Sequence, residues 1–150
     1  MTITRRIKVW FLSFFREIFL YHHSSLEFRA KLLALMIGAN RQIEACEKEI
    51  LQQIAQEIYP DDQARVDVLV STTKEYVKKI IENNELDLNE LILNVDKELS
   101  QVKRFVKKID IGQLKRFLRC SERDEETQLI QQRILDFLEN EIREYGNETA

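Results

Sequence analysis

Glycine and proline are almost missing from this chain: three and one, respectively, in 150 residues. Tight hairpin turns depend on those residues, so their scarcity argues against a β-rich or loop-rich fold. The three glycines are also scattered. They form no phosphate-cradling loop, dinucleotide fingerprint or nucleophile elbow, and no local Ser/Cys–His pairing suggests a nucleophile. The expectation is a protein that is not an enzyme and needs no cofactor.

Metal and redox residues are equally sparse. His22 and His23 are the only histidines, and adjacent residues on a helix point about 100° apart. Two ligands fall short of the three or four that zinc requires. Cys46 and Cys120 cannot make a cluster alone, and they read as small part-buried thiols of a reducing compartment. A bridge between them stays open but has no support in the sequence.

Long apolar runs are lacking as well. Residues 9–21 are interrupted by Ser13, Arg16 and Glu17, short of the roughly 20 apolar residues that a membrane span needs. Arg5, Arg6 and Lys8 precede Val9 in the manner of a secretion signal. Charge returns at Arg16, however, and no small-residue cleavage site follows, so a cytoplasmic chain is expected. A net charge of −3 gives no global attraction to nucleic acid, and none is expected as a partner.

What remains is helix-forming material. Apolar residues make up 44% and charged residues 33%, dominated by Leu, Ile, Glu, Lys, Arg and Gln. Residues 3–21 form an amphipathic pattern at helical spacing. Trp10, Phe11, Phe14, Phe15 and Ile18 share one broad face, while Arg5, Arg6 and Arg16 lie opposite. Such a helix suits an anionic membrane surface, peripheral to the inner membrane, or a groove on a protein partner or second copy. Packing on the chain's own core is the plain alternative. Residues 1–23 are therefore set apart as an N-terminal helix, with the main domain at 24–145 and a frayed tail at 146–150.

Helix starts are marked along that domain. Ser24 with Glu27, and Asp87 with Glu90, have the spacing of capping boxes. Asp61 or Asp62 can cap a third helix, Asp110 precedes a short one through Leu118, and Ser121 to Asp124 opens the last. Leu32, Leu33, Met36 and Ile37 have the spacing of a single apolar face. Leu99, Val102, Phe105, Val106 and Ile109 carry a 3/4 repeat onward without a break. Residues 103–119 hold seven basic side chains against Asp110 alone. Phe105 and Phe117 fall on apolar faces there, so the run reads as a solvated or internally paired face, with the acid-rich last 31 residues available to neutralise it. The sum is an all-α bundle of six or seven helices.

Two helix-loop-helix units look alike. A shift of 81 carries Leu33, Met36 and Ile37 onto Leu114, Phe117 and Leu118, and a shift of 80 carries Ile50, Ile54 and Ile58 onto Ile130, Ile134 and Leu138. Between the first pair of helices stands Ala39-Asn40-Arg41-Gln42-Ile43-Glu44-Ala45-Cys46-Glu47. It resembles the Ala-Asp-Gly-x-Ile-x-x-x-Glu loop of the TerB-like family, helical proteins linked to tellurite resistance and built from two related helix-loop-helix halves. The resemblance covers residues 26–142 and leaves residues 1–25 outside.

That resemblance implies a stress-associated scaffold or sensor module. It also implies a divalent-cation site in the loop, for which Asn40, Glu44 and Glu47 are the matching residues. This chain departs from the motif at two places. Asn40 replaces the aspartate and offers only a neutral oxygen, while Arg41 replaces the glycine and adds a positive charge. The second copy reads Cys120-Ser121-Glu122-Arg123-Asp124. A simpler use of the glutamates exists: with Glu44 at the N-cap, Glu47 stands at the N3 position of a capping box and needs no ligand.

Overall fold

The computed structural model describes residues 24–83 and 87–146. The attachment residues expected in the N-terminal segment (Arg5, Arg6, Trp10, Phe11, Phe14, Phe15 and Ile18) lie outside them. Among the described residues six α-helices make an all-α bundle: α1 (Ser25–Gly38), α2 (Ala45–Ile58), α3 (Gln63–Lys78), α4 (Leu88–Gln101), α5 (Ile111–Lys115) and α6 (Glu125–Gly146). A π-helical turn, Lys79–Asn83, prolongs α3, and 3-10 turns at Lys103–Lys108 and Arg116–Ser121 flank α5. No described helix is long and apolar enough to cross a membrane.

Carboxylates and hydroxyls start the helices as their spacing suggests, with differences in detail. Asp62 accepts from the Arg65 N–H at 3.1 Å, Asp87 from Asn89 at 2.6 Å and Asp110 from Gln113 at 3.1 Å. Ser24 accepts from the Leu26 N–H at 3.0 Å, but Glu27 does not complete that box, nor does Glu90 complete the one at Asp87. The Glu27 carboxylate is buried and accepts the Tyr76 hydroxyl of α3 at 2.6 Å. The last helix begins at Glu125, and Asp124 rather than Ser121 caps it by accepting from the Thr127 N–H at 3.1 Å.

The expected single apolar face of α1 is a correction. Leu26 through Phe28, Ala30 and all of residues 32–38 are buried, so α1 is covered on every side. A helix apolar all round belongs at the centre of a bundle, and α1 packs against α3, α4 and α6. Gly38 matters to that packing. A Cβ there would come within 2.8 Å of Ile80 Cδ1, so a larger residue would require the end of the Ile80 side chain to move.

A second correction falls at Val102. The apolar spacing continues through it, but the helix stops there (φ −129°, ψ 76°) and a 3-10 turn takes over. Periodicity records which residues go inward and is blind to a change of axis. The bend sends Phe105 and Val106 into the core, where the Phe105 ring stacks on Phe28 with centroids 5.3 Å apart. Phe117 is fully buried too, in agreement with the reading of the basic run. Arg116 in that run pairs with Glu57 of α2 rather than with the C-terminal acids, one of its two bonds spanning 2.7 Å.

The third correction concerns the cysteines. Cys46 and Cys120 form a disulfide, with Cα atoms 5.8 Å apart and 74 positions between them in sequence. The start of α2 packs on the 3-10 turn Arg116–Ser121, which brings the loops of the two helix-loop-helix units side by side. Sequence spacing carried no trace of that approach.

Candidate functional site: the loop junction and the cavities beside Arg41

The end of α1 exposes four carbonyls that need partners. Ala39 N–H donates to Leu35 O, Asn40 N–H to Ile37 O, and Arg41 N–H to Gly38 O. The Met36 carbonyl is taken by Gln131 Nε2 of α6 at 2.9 Å. Gln131 is itself buried, and its Oε1 accepts the Ser121 hydroxyl at 2.5 Å. One neutral side chain thus joins the end of α1, the loop before α6 and α6 itself.

A second set of bonds runs through the motif-like loop. Asn40 donates through Nδ2 to Glu47 Oε1 at 2.8 Å, while Glu47 Oε2 accepts the Glu44 N–H at 3.2 Å. Glu44 and Glu47 form a capping box at the start of α2, as the simpler reading of the glutamates has it. The Thr127 hydroxyl lies 2.6 Å from Asp124 and 3.4 Å from Asn40 Oδ1, which links the two loops. That hydroxyl, with the Thr127 N–H, holds the Asp124 carboxyl below its ordinary range.

Asn40 and Glu47 are therefore brought together, with Glu47 buried, whereas Glu44 is exposed and engaged at the helix start. Among the described residues no group of three or more His, Cys, Asp or Glu side chains is placed to hold a metal ion.

Arg41 stands at the tip of this loop with φ at 55°. Left-handed backbone costs roughly 1–2 kcal/mol for an L-residue, and glycine would avoid it. Here an exposed guanidinium is held there instead, in the wall between two cavities.

One cavity, about 460 Å³, lies between α4 and α6 and is lined by Leu88, Ile92, Ile130 and Arg133. The other, about 580 Å³, lies between the loop, α2 and α3. Its apolar floor is Ile43, Val77 and Ile81, and its cations are Arg41, Lys48, Lys74 and Lys78. Glu44 and Glu82 also line it, and Glu82 sits 3.9 Å from Lys78. The π-helical turn divides the two: Ile80 faces the first cavity and Ile81 the second. Lengthened turns of this kind often occur at functional positions.

At the far end of α6 a different cluster appears. Glu141 is buried beside Asp96 of α4, and one of its oxygens, Oε2, has no hydrogen-bond partner. Burial, then the Asp96 and Glu144 carboxylates, push Glu141 up to about 8. Tyr145 donates to Asp96 Oδ1 at 3.2 Å, and burial beside that carboxylate pushes its hydroxyl up to about 12.

Sequence reasoning singled out the motif positions and missed Gln131, Arg133, the lysines of the second cavity and the paired carboxyls. A buried glutamine or glutamate on an otherwise apolar helix face was the available signal. No protein-family model, curated protein or solved structure matches this chain.

Proposed function

We propose that this chain is a non-enzymatic helical scaffold or sensor module that works by attachment. Residues 1–23 carry it to an anionic membrane surface, to a protein partner or to a second copy. The observation that supports this reading best is the internal use of the loop polar groups. Asn40 bonds to Glu47 and Thr127, and Gln131 to Ser121 and the Met36 carbonyl, so the motif-like loops act as joints of the bundle. Chemistry at a reacting centre would need such groups aimed outward. The stress-associated role follows the TerB-like resemblance.

The disulfide bears on the compartment. A bridge of this kind persists in an oxidising surrounding and is reduced by cytosolic thiols. Cys46–Cys120 thus supports a domain that faces an oxidising compartment over the expected cytoplasmic one, with membrane attachment unaffected.

Vesicle sedimentation of the full chain tests the attachment. The protein is expected to pellet with anionic vesicles, less so at high salt, and to remain in the supernatant once Arg5→Glu, Arg6→Glu and Trp10→Glu are combined. Equal sedimentation of that variant and the parent would sink the membrane reading. A parent that stays in the supernatant leaves protein attachment as the function, to be read from its oligomeric state.

A further inference from the structure

We propose that the cavity between the 38–44 loop, α2 and α3 binds a single-chain aliphatic carboxylate. Its tail would lie on Ile43, Val77 and Ile81 and its head among Arg41, Lys48 and Lys74.

The site is a shallow, open groove rather than an enclosed cavity, and its space of about 580 Å³ is within the range of small-ligand sites. Its floor is aliphatic, and Ile43 and Ile81 are only half-buried, so a covering chain would remove apolar surface from water. Charge at the rim selects the head group. Four cations stand against Glu44 and Glu82, and Lys78 already lies near Glu82. Among the described residues the side chains of Arg41, Lys48 and Lys74 make no hydrogen bond or ion pair, which leaves them for an anion. A guanidinium offers a carboxylate two parallel N–H donors, and the ammonium groups add unspecific attraction.

The backbone argues for Arg41 in particular. Its left-handed conformation is costly for arginine and is where glycine would be favoured, yet it sets the guanidinium at the cavity wall. A free ligand fits better than a bilayer. The large apolar side chains most exposed among the described residues are Leu93 and Leu129, and neither lines this cavity.

Titration calorimetry on the full chain, with octanoate, decanoate and dodecanoate below their micelle concentrations, tests the proposal. One-to-one binding is expected, tightening by about fourfold per methylene until the chain outgrows the cavity, and weakening with salt. Dodecanol should bind at least tenfold more weakly than dodecanoate. Arg41→Gly with Lys74→Gln should weaken dodecanoate at least tenfold, and Arg41→Gly alone should melt no lower than the parent.

Equal binding of dodecanol and dodecanoate would overturn the head-group assignment and the proposal with it. Undiminished binding by the double variant would place the ligand elsewhere, residues 1–23 included, and overturn it too. Dodecanoate taken up only in anionic vesicles would make the surface a bilayer contact, which also refutes a free-ligand site.

Discussion

Near its start, α6 meets the rest of the bundle through Thr127 and Gln131, whose partners are a loop amide, a serine hydroxyl and the Met36 carbonyl. Ten residues later, about 15 Å along the axis, the same helix meets α4 through Glu141 and Tyr145 against Asp96. The first contact is made chiefly of neutral groups that satisfy one another and lies beside a covalent bridge. The second sets the buried Glu141 beside the Asp96 carboxylate, which with burial holds the Glu141 carboxyl well above its ordinary range. One end of the helix is therefore held chiefly by uncharged groups, and the other by a contact whose strength depends on pH. Burial alone does not distinguish them, since Gln131 and Glu141 are both nearly inaccessible. What differs is whether the buried group can change its charge.

The comparison breaks most visibly at the disulfide. Closing a 74-residue separation removes unfolded-state freedom worth about 4 kcal/mol in the chain-entropy model. Cys46→Ser with Cys120→Ser should lower the urea midpoint by the equivalent of that figure, and a reductant should then have no further effect. A midpoint that a reductant leaves unchanged in the parent would mean that the bridge adds nothing. The next effect in size belongs to Gln131→Leu. It strands the Met36 carbonyl in the interior and leaves the Ser121 hydroxyl only its bond to the Leu118 carbonyl, at a cost of about 2 kcal/mol. This loss should be the same at every pH from 5 to 8, because the Gln131 amide, the Ser121 hydroxyl and the Met36 carbonyl do not titrate in that range.

Much of this arrangement was readable beforehand, and the exceptions share a cause. Helical spacing placed Phe105, Phe117, Ile134 and Leu138 in the core, because inward residues recur at 3.6 whatever the tertiary context. Caps such as Asp62 and Asp87 were readable because a cap is a local bond across two or three residues. The break at Val102, the full burial of α1, the disulfide and the Gln131 bond to Met36 all depend on which segments meet in space. No window of sequence contains both partners. The loop motif shows the mixture within ten residues. Its Glu44–Glu47 box is local and was anticipated, while the link from Asn40 to Thr127 spans 87 positions and was not. Arg41 was legible as a departure from glycine, but the cavities on either side of it were not.

The carboxyl contact is the sharper probe, because its sign can be worked out. Glu141 titrates near 8 in the folded chain and in the ordinary carboxyl range, about 4, when unfolded. Between those values the folded state holds the extra proton, so rising pH favours unfolding. The stabilisation is complete below the unfolded value and falls with a slope of at most about 1.4 kcal/mol per pH unit through the window up to 8. Glu141→Gln keeps the shape and offers Asp96 an N–H in place of the proton, yet has nothing to release. The parent's urea midpoint should therefore decline from pH 5 to pH 8, while that of Glu141→Gln stays closer to level, with the two curves furthest apart at pH 8. Tyr145→Phe, which removes the 3.2 Å bond to Asp96, should leave the parent's slope in place, since that hydroxyl titrates only near 12. Parallel curves for parent and Glu141→Gln would show that the two ends of α6 are fastened alike, and would remove the contrast between them.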